Sequence, residues 1–177
     1  MVSGAGGSGS PVTMIKDLDG DGDMEQYLLE GNCLTVREAG EFLWRSSPGW
    51  QVDSFSLEDA DNDGTLDLTF SLWKRGSFGP YRPFWHQGAD ISYKNHLFVF
   101  KMVDNTFKEV WCSSNLDRPI AFFTIEDMNG DGLNELIVEE GMYRKVNGER
   151  YALDTEAPVR TTVWQWQEWG FREISPW

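Results

Sequence analysis

Cysteine and histidine are scarce in this chain of 177 residues, with two of each. Cys33 and Cys112 cannot build a disulfide framework, and no CxxC or Cys/His spacing suited to zinc occurs. One bridge between them stays open, and so does the redox compartment. Apolar runs are short. None approaches the ~20 residues that cross a bilayer, so no membrane insertion is expected. Residues 1–10, MVSGAGGSGS, have neither the basic start nor the apolar stretch of a signal peptide. They read as a flexible Gly/Ser-rich linker, and residues 11–177 as one domain.

Basic residues are also in short supply: 15 against 29 acidic ones, a net charge of −14. A nucleic-acid surface needs clustered Lys and Arg, and an anionic membrane surface favours the same sign. No nucleic-acid partner is expected, and adhesion to an anionic membrane is disfavoured. The signatures of common catalytic folds are missing too, with no GxSxG elbow, no P-loop and no dinucleotide glycine fingerprint. His86 and His96 flank Asp90, which leaves a sparse His/Asp/His transition-metal set as the residual possibility of that kind.

What the chain does have is aromatic mass and patterned acid. Hydrophobic residues make up 40% and aromatics 14%, nine of them Trp, which suits a packed globular core. The acid falls into three copies of one motif. The first holds Asp17, Asp19, Asp21, Gly22 and Glu25. The second holds Asp59, Asp61, Asp63, Gly64 and Asp67. The third holds Asp127, Asn129, Asp131, Gly132 and Glu135. Each has an apolar residue two places upstream: Ile15, Leu57 and Ile125. Their side-chain ligand positions carry eleven of the 29 acidic residues. The rest of the chain has 15 basic against 18 acidic groups, a balance of −3. The charge is local, as cation sites make it.

Calcium explains the spacing. It takes six to eight oxygens in a flexible shell, and alternate residues of a tight turn aim their carboxylates at one point. Glycine at the sixth position permits the reversal, and Gly20, Asn62 and Gly130 at the fourth tolerate positive φ. The seventh position, Asp23, Thr65 or Leu133, would add a backbone carbonyl. The loops are not EF-hands. Position 12 is Leu28, Phe70 or Val138, where that motif needs Glu, and the flanks alternate with a period of two, as Leu66, Leu68, Phe70 and Leu72 do. The phase breaks near Asp53 and Ser54.

An apolar-x-Asp-x-Asp-x-Asp-Gly-x-x-acid pattern, repeated between strands, resembles the FG-GAP and VCBS repeats of integrin-α-like β-propellers. The resemblance spans roughly residues 12–177. It implies up to three Ca²⁺ ions that brace neighbouring strands without catalysis. It also implies an extracellular or cell-envelope setting and work in ligand recognition or adhesion. The fold expected is all-β, a propeller-like array of about three four-stranded blades.

The strands read as follows. Glu25–Leu29, Leu34–Glu38, Glu41–Ser46 and Trp50–Leu57 make a first blade. Leu66–Lys74, His96–Val103, Thr106–Cys112 and Ile120–Ile125 make a second. Glu135–Glu139, Thr161–Glu168 and Phe171–Ser175 make a third that lacks a strand, which Val12–Lys16 could supply from the other terminus. Closure by that strand, membership of a larger propeller, completion by an oligomer and an open sheet all fit.

Two connections are long. The one from Ser77 to Asn95 offers Tyr81, Arg82, Trp85 and His86 as anchors for a protein or carbohydrate ligand at the cell surface. The one from Gly141 to Arg160 reads as a solvated hairpin. Trp164 and Trp166 read as packing between blades, with Trp169 in the turn that follows. The function expected is a non-enzymatic calcium-binding recognition module. A hydrolase of glycans or phosphoesters on a propeller scaffold, and a purely structural propeller segment, are the alternatives.

Overall fold

A computed structural model describes residues 10–78, 84 and 87–174. Among them the secondary structure is all β, fourteen strands in three sheets with no helix. The first sheet is β1 (Val12–Lys16), β2 (Glu25–Glu30), β3 (Cys33–Glu38) and β4 (Glu41–Arg45), paired in that order. The second contains β5 (Gln51–Glu58), β6 (Asp67–Arg75), β7 (Tyr93–Val103) and β8 (Thr106–Cys112). The third contains β9 (Ile120–Glu126), β10 (Glu135–Glu140), β13 (Arg160–Gln167) and β14 (Gly170–Glu173). A hairpin of β11 (Tyr143–Asn147) and β12 (Arg150–Leu153) leaves the third sheet and meets β7 through one parallel bridge, Arg150 to Tyr93.

The grouping of strands differs from the sequence expectation by one strand throughout. β5 opens the second sheet and does not close the first; β9 opens the third. The third sheet is therefore complete without β1, which pairs with β2. The reason lies in the acidic loops. Each is a hairpin inside one sheet, closed on the same rung: Lys16 opposite Glu25, Glu58 opposite Asp67, Glu126 opposite Glu135. A hairpin keeps its two strands adjacent, so each loop lies within a sheet and cannot divide two. None of the three sheets closes on itself.

The second sheet lies between the other two. One of its faces carries Phe55, Leu57, Leu68, Phe70, Leu72, Phe98 and Phe100 against Tyr27, Leu29, Leu34 and Val36 of the first sheet. Its other face sets Leu97 and Val99 against Phe123, Ile125, Leu136 and Val138 of the third. The alternation in β6 suggests a strand with one wet side. Instead Thr69 and Ser71, on the polar side, are fully buried, because the third sheet covers them. Small hydroxyl residues fit such a contact, and Ser71 accepts a hydrogen bond from Asn95 Nδ2 at 3.1 Å.

The phase break at Asp53 is a β-bulge between Val52 and Ser54, and the Asp53 carboxylate takes the Trp73 indole N–H. Burial pushes Asp53 up to about 6. The 141–160 connection is a hairpin, as its sequence suggests, but it is not simply solvated. The Tyr143 hydroxyl donates to Leu116 O at 2.9 Å, the Arg150 guanidinium lies 4.3 Å from the Tyr93 ring centre, and Tyr143 meets Trp73 edge-on. Cys33 and Cys112 are both free thiols.

Candidate metal loops and an inter-sheet cleft

Each acidic loop is built from its own carboxylates. The first Asp of each loop accepts backbone N–H groups across the turn. Asp17 takes those of Gly20 (2.6 Å) and Gly22 (3.0 Å), Asp59 that of Gly64 (2.8 Å), and Asp127 those of Gly130 (2.7 Å) and Gly132 (2.9 Å). The fifth-position Asp caps the residue two places on: Asp21 takes Asp23 N–H, Asp63 takes Thr65 N–H and Asp131 takes Leu133 N–H. Positive φ falls at the expected places, 60° at Asn62 and 76–79° at Gly20 and Gly130, with 90–98° at Gly22, Gly64 and Gly132. Any larger residue at those glycines would be strained.

The closing acids, Glu25, Asp67 and Glu135, are all fully buried at the start of the second hairpin strand. One oxygen of each is held by a backbone N–H from the second loop position. Leu18 donates to Glu25 at 2.8 Å, Ala60 to Asp67 at 2.8 Å and Met128 to Glu135 at 3.0 Å. The other oxygen distinguishes the three loops.

In the first loop Glu25 Oε1 is buried with no donor, while Asp17, Asp19, Asp21 and Glu25 bring ligand atoms within 4.8 Å of one another. Burial, reinforced by the charges of Asp19 and Asp17, pushes Glu25 above its usual range. In the second loop Asp67 Oδ1 is likewise buried without a donor, and Asp59, Asp61 and Asp67 converge within the same limit. Burial pushes Asp67 up to about 7; Asp61 adds to the rise and Lys101 opposes it. Leaving such oxygens bare costs about 1–3 kcal/mol each, more when they are charged. Both sets of residues fit a hard cation with oxygen ligands.

The third loop is different. Glu135 Oε1 accepts from Asn129 Nδ2 at 3.1 Å and from Gln165 Nε2 at 3.2 Å. Asn129 therefore does not only lower the charge, as its sequence position suggests. Its amide fills the place a cation would take, and Gln165, on β13, could not be read from the loop.

All three loops lie at one end of the sheets, and the second and third are clasped to each other. Asn62 Nδ2 donates to Asn134 O at 3.0 Å, Asn134 N–H donates to Asn62 Oδ1 at 2.6 Å, and Asn134 Nδ2 donates to Asp59 O at 2.8 Å. Asn105, in the β7–β8 turn, donates its N–H to Asp19 and its amide to Glu38. Exchanging Asn62 for Gly keeps the backbone free to hold positive φ but removes two cross-loop bonds. Urea unfolding should show a loss of about 1–2 kcal/mol, and an unchanged midpoint would mean the clasp contributes nothing.

The proposed ligand anchors Tyr81, Arg82, Trp85 and His86 lie outside the described residues. The neck of their connection is fixed: Asp90 accepts N–H bonds from Ser77 (2.6 Å) and Phe78 (2.9 Å). His96 does not join Asp90 in a metal set. It is fully buried in β7, with Nδ1 3.1 Å from Ser113 O. A cleft of about 620 Å³ opens instead between the second and third sheets. Trp111, Trp164 and Phe171 wall it, and Glu140 and Arg160 lie at its edge, bonded at 2.7 Å. Its residues come from five separate segments, so no local motif signals it. Trp164 does pack between the sheets, as expected, and Trp169 is 79% exposed.

Comparison with protein-family models, with curated proteins and with solved structures finds no match to this chain.

Proposed function

We propose that this protein is a calcium-binding β-repeat module of propeller-like build whose acidic loops brace its sheets at one end while its surface recognises a partner. The observation that carries the reading is Glu25 Oε1: a buried carboxylate oxygen with no donor, aimed into a group of three further acids. Calcium supplies what that oxygen lacks, and loops of this type fill at millimolar concentrations found outside cells. That affinity supports an extracellular or cell-envelope setting. The seventh-position carbonyls of Asp23 and Thr65 are the natural additional ligands. Recognition of a protein or carbohydrate is the work such a frame supports. The aromatic walls of the inter-sheet cleft offer stacking area, and its Glu140–Arg160 edge offers hydrogen bonds.

Calorimetric titration with calcium, paired with melting in chelator, tests the metal reading. Free calcium at 100 times its Kd should stabilise the fold by about 2.7 kcal/mol per filled site. Glu25→Gln should remove the heat and the stabilisation assigned to the first loop. A melting curve identical in calcium and in chelator would end the proposal.

A further inference from the structure

Lys101 gives the second loop a cation of its own. It stands on β7, in another hairpin from the loop, and its ammonium Nζ reaches three of the loop's four acids. It lies 2.9 Å from Asp61 Oδ2, contacts Asp63 Oδ2, and is 3.9 Å from the otherwise bare Asp67 Oδ1. Lys101 is 17% exposed, Asp61 10% and Asp67 fully buried, while Asp63 is 48% exposed. The first loop has no counterpart: among the described residues no Lys or Arg pairs with Asp17, Asp19, Asp21 or Glu25. The third has its neutral amides.

We infer that Lys101 is an internal counter-ion that sets the metal affinity of the second loop. Calcium enters there only by displacing the ammonium, whereas the first loop is open to it directly. The inference rests on the calcium reading above and adds an order of filling: first loop, then second, with the third weakest. The physics is a competition between two cations for one set of oxygens. At such separations opposite unit charges at a partly sheltered site attract far more strongly than in bulk water. A lysine that must surrender such contacts lowers the net gain from calcium. It also keeps the acids from repelling one another when calcium is scarce, so the loop stays folded without metal.

The second-loop acids make this arrangement legible in retrospect. Asp63 has left the converging group to meet Lys101, and only Asp59, Asp61 and Asp67 remain within 4.8 Å of one another. In the first loop the corresponding Asp21 is still a member of the group.

Calcium titrations of the whole chain and of Lys101→Gln, Lys101→Arg and Glu25→Gln decide the matter. Expected for the parent chain is one tighter binding event that Glu25→Gln abolishes, and a second, weaker event. Lys101→Gln should tighten the second event about tenfold or more, leave the first unchanged, and lower the melting temperature in chelator while raising the gain on adding calcium. Lys101→Arg, which keeps the charge, should retain parent-like affinity. If the Gln variant does not fold in chelator, its melting curve in saturating calcium and the Arg titration still carry the comparison. Equal second-site affinities for the parent and the Gln variant would overturn the role of Lys101 while leaving the calcium reading intact. No event sensitive to Glu25→Gln in any variant would instead overturn the calcium reading itself.

Discussion

Replacing Phe70 with alanine should lower the unfolding free energy by about 3–5 kcal/mol, the usual range for a large aromatic removed from a close-packed core. Phe70 is fully buried on β6 and is surrounded by rings: Phe100 at 5.2 Å, Phe98 at 5.8 Å, Trp44 at 6.0 Å and Trp50 at 6.1 Å between centroids. Trp44 belongs to β4 of the first sheet, so this cluster joins the first sheet to the second as well as filling the second. The Phe100 and Phe98 contacts are edge-on, the arrangement in which ring quadrupoles attract. Two neighbouring indoles are too stiff to close the void, which places the cost toward the upper end of the range. Phe70→Leu keeps most of the volume and should cost under about 1.5 kcal/mol. Urea melts of the three chains check this, and a loss below 1 kcal/mol for the alanine variant would refute the packing described.

Acid should unfold the protein partly through one residue. Burial holds the His96 imidazole down at about 4, against 6.5 for a free side chain, with the Ser113 carbonyl partly offsetting the effect. A carbonyl only accepts, so Nδ1 carries the proton of the neutral ring and donates it to Ser113 O. The folded state therefore favours neutral imidazole. Above pH 6.5 the ring is neutral in both folded and unfolded chains, and no stability is lost. As the pH falls from 6.5 toward 4 the unfolded chain takes up a proton that the folded chain refuses, and stability drops with it. Below 4 both are protonated and the loss stops growing. The full difference is about 3 kcal/mol. Carboxylates titrate in part of the same window, so the comparison is between the parent and His96→Gln. The variant should lose less stability between pH 7 and 4, and parallel curves would show that His96 contributes nothing.

Local chemistry made the loops readable, and distance hid the rest. Asp, Gly and Asn at fixed offsets dictate a turn whatever surrounds it, and the three hairpins close as that spacing implies. The bulge at Asp53 was visible for the same reason, as a break in a period of two. The sheet boundaries were not visible. Trp50–Leu57 is an equally good strand whether it ends one sheet or begins the next, and only its rung-for-rung pairing with β6 decides. The burial of Thr69 and Ser71 was equally hidden, because the third sheet, supplied from some fifty residues downstream, leaves no mark on β6 itself.

The candidate sites divide along the same line. Asp17, Asp19, Asp21 and Glu25 converge as their spacing suggests, since each lies within one turn of the next. What partners the buried acids of the other two loops comes wholly (second loop) or partly (third loop, beside its own Asn129) from elsewhere in the chain. Lys101 is 38 residues from Asp63, and Gln165 is 30 from Glu135. Nothing in either neighbourhood singles out those two side chains. The cleft was unreadable for a similar reason, being the gap left where two separately formed sheets meet.

Gathering the three loops at one end has an electrical consequence. Lys74, Arg75, Lys94, Arg118, Arg150 and Arg160 lie toward the opposite end, where β6 finishes and β7 and β13 begin. That end also carries Asp53, Asp90, Glu149 and Glu140, the last bonded to Arg160, so its charges largely offset one another while the loop acids at the other end do not. On a positively charged matrix the molecule would be held by its loop end, and less firmly once the proposed calcium sites fill.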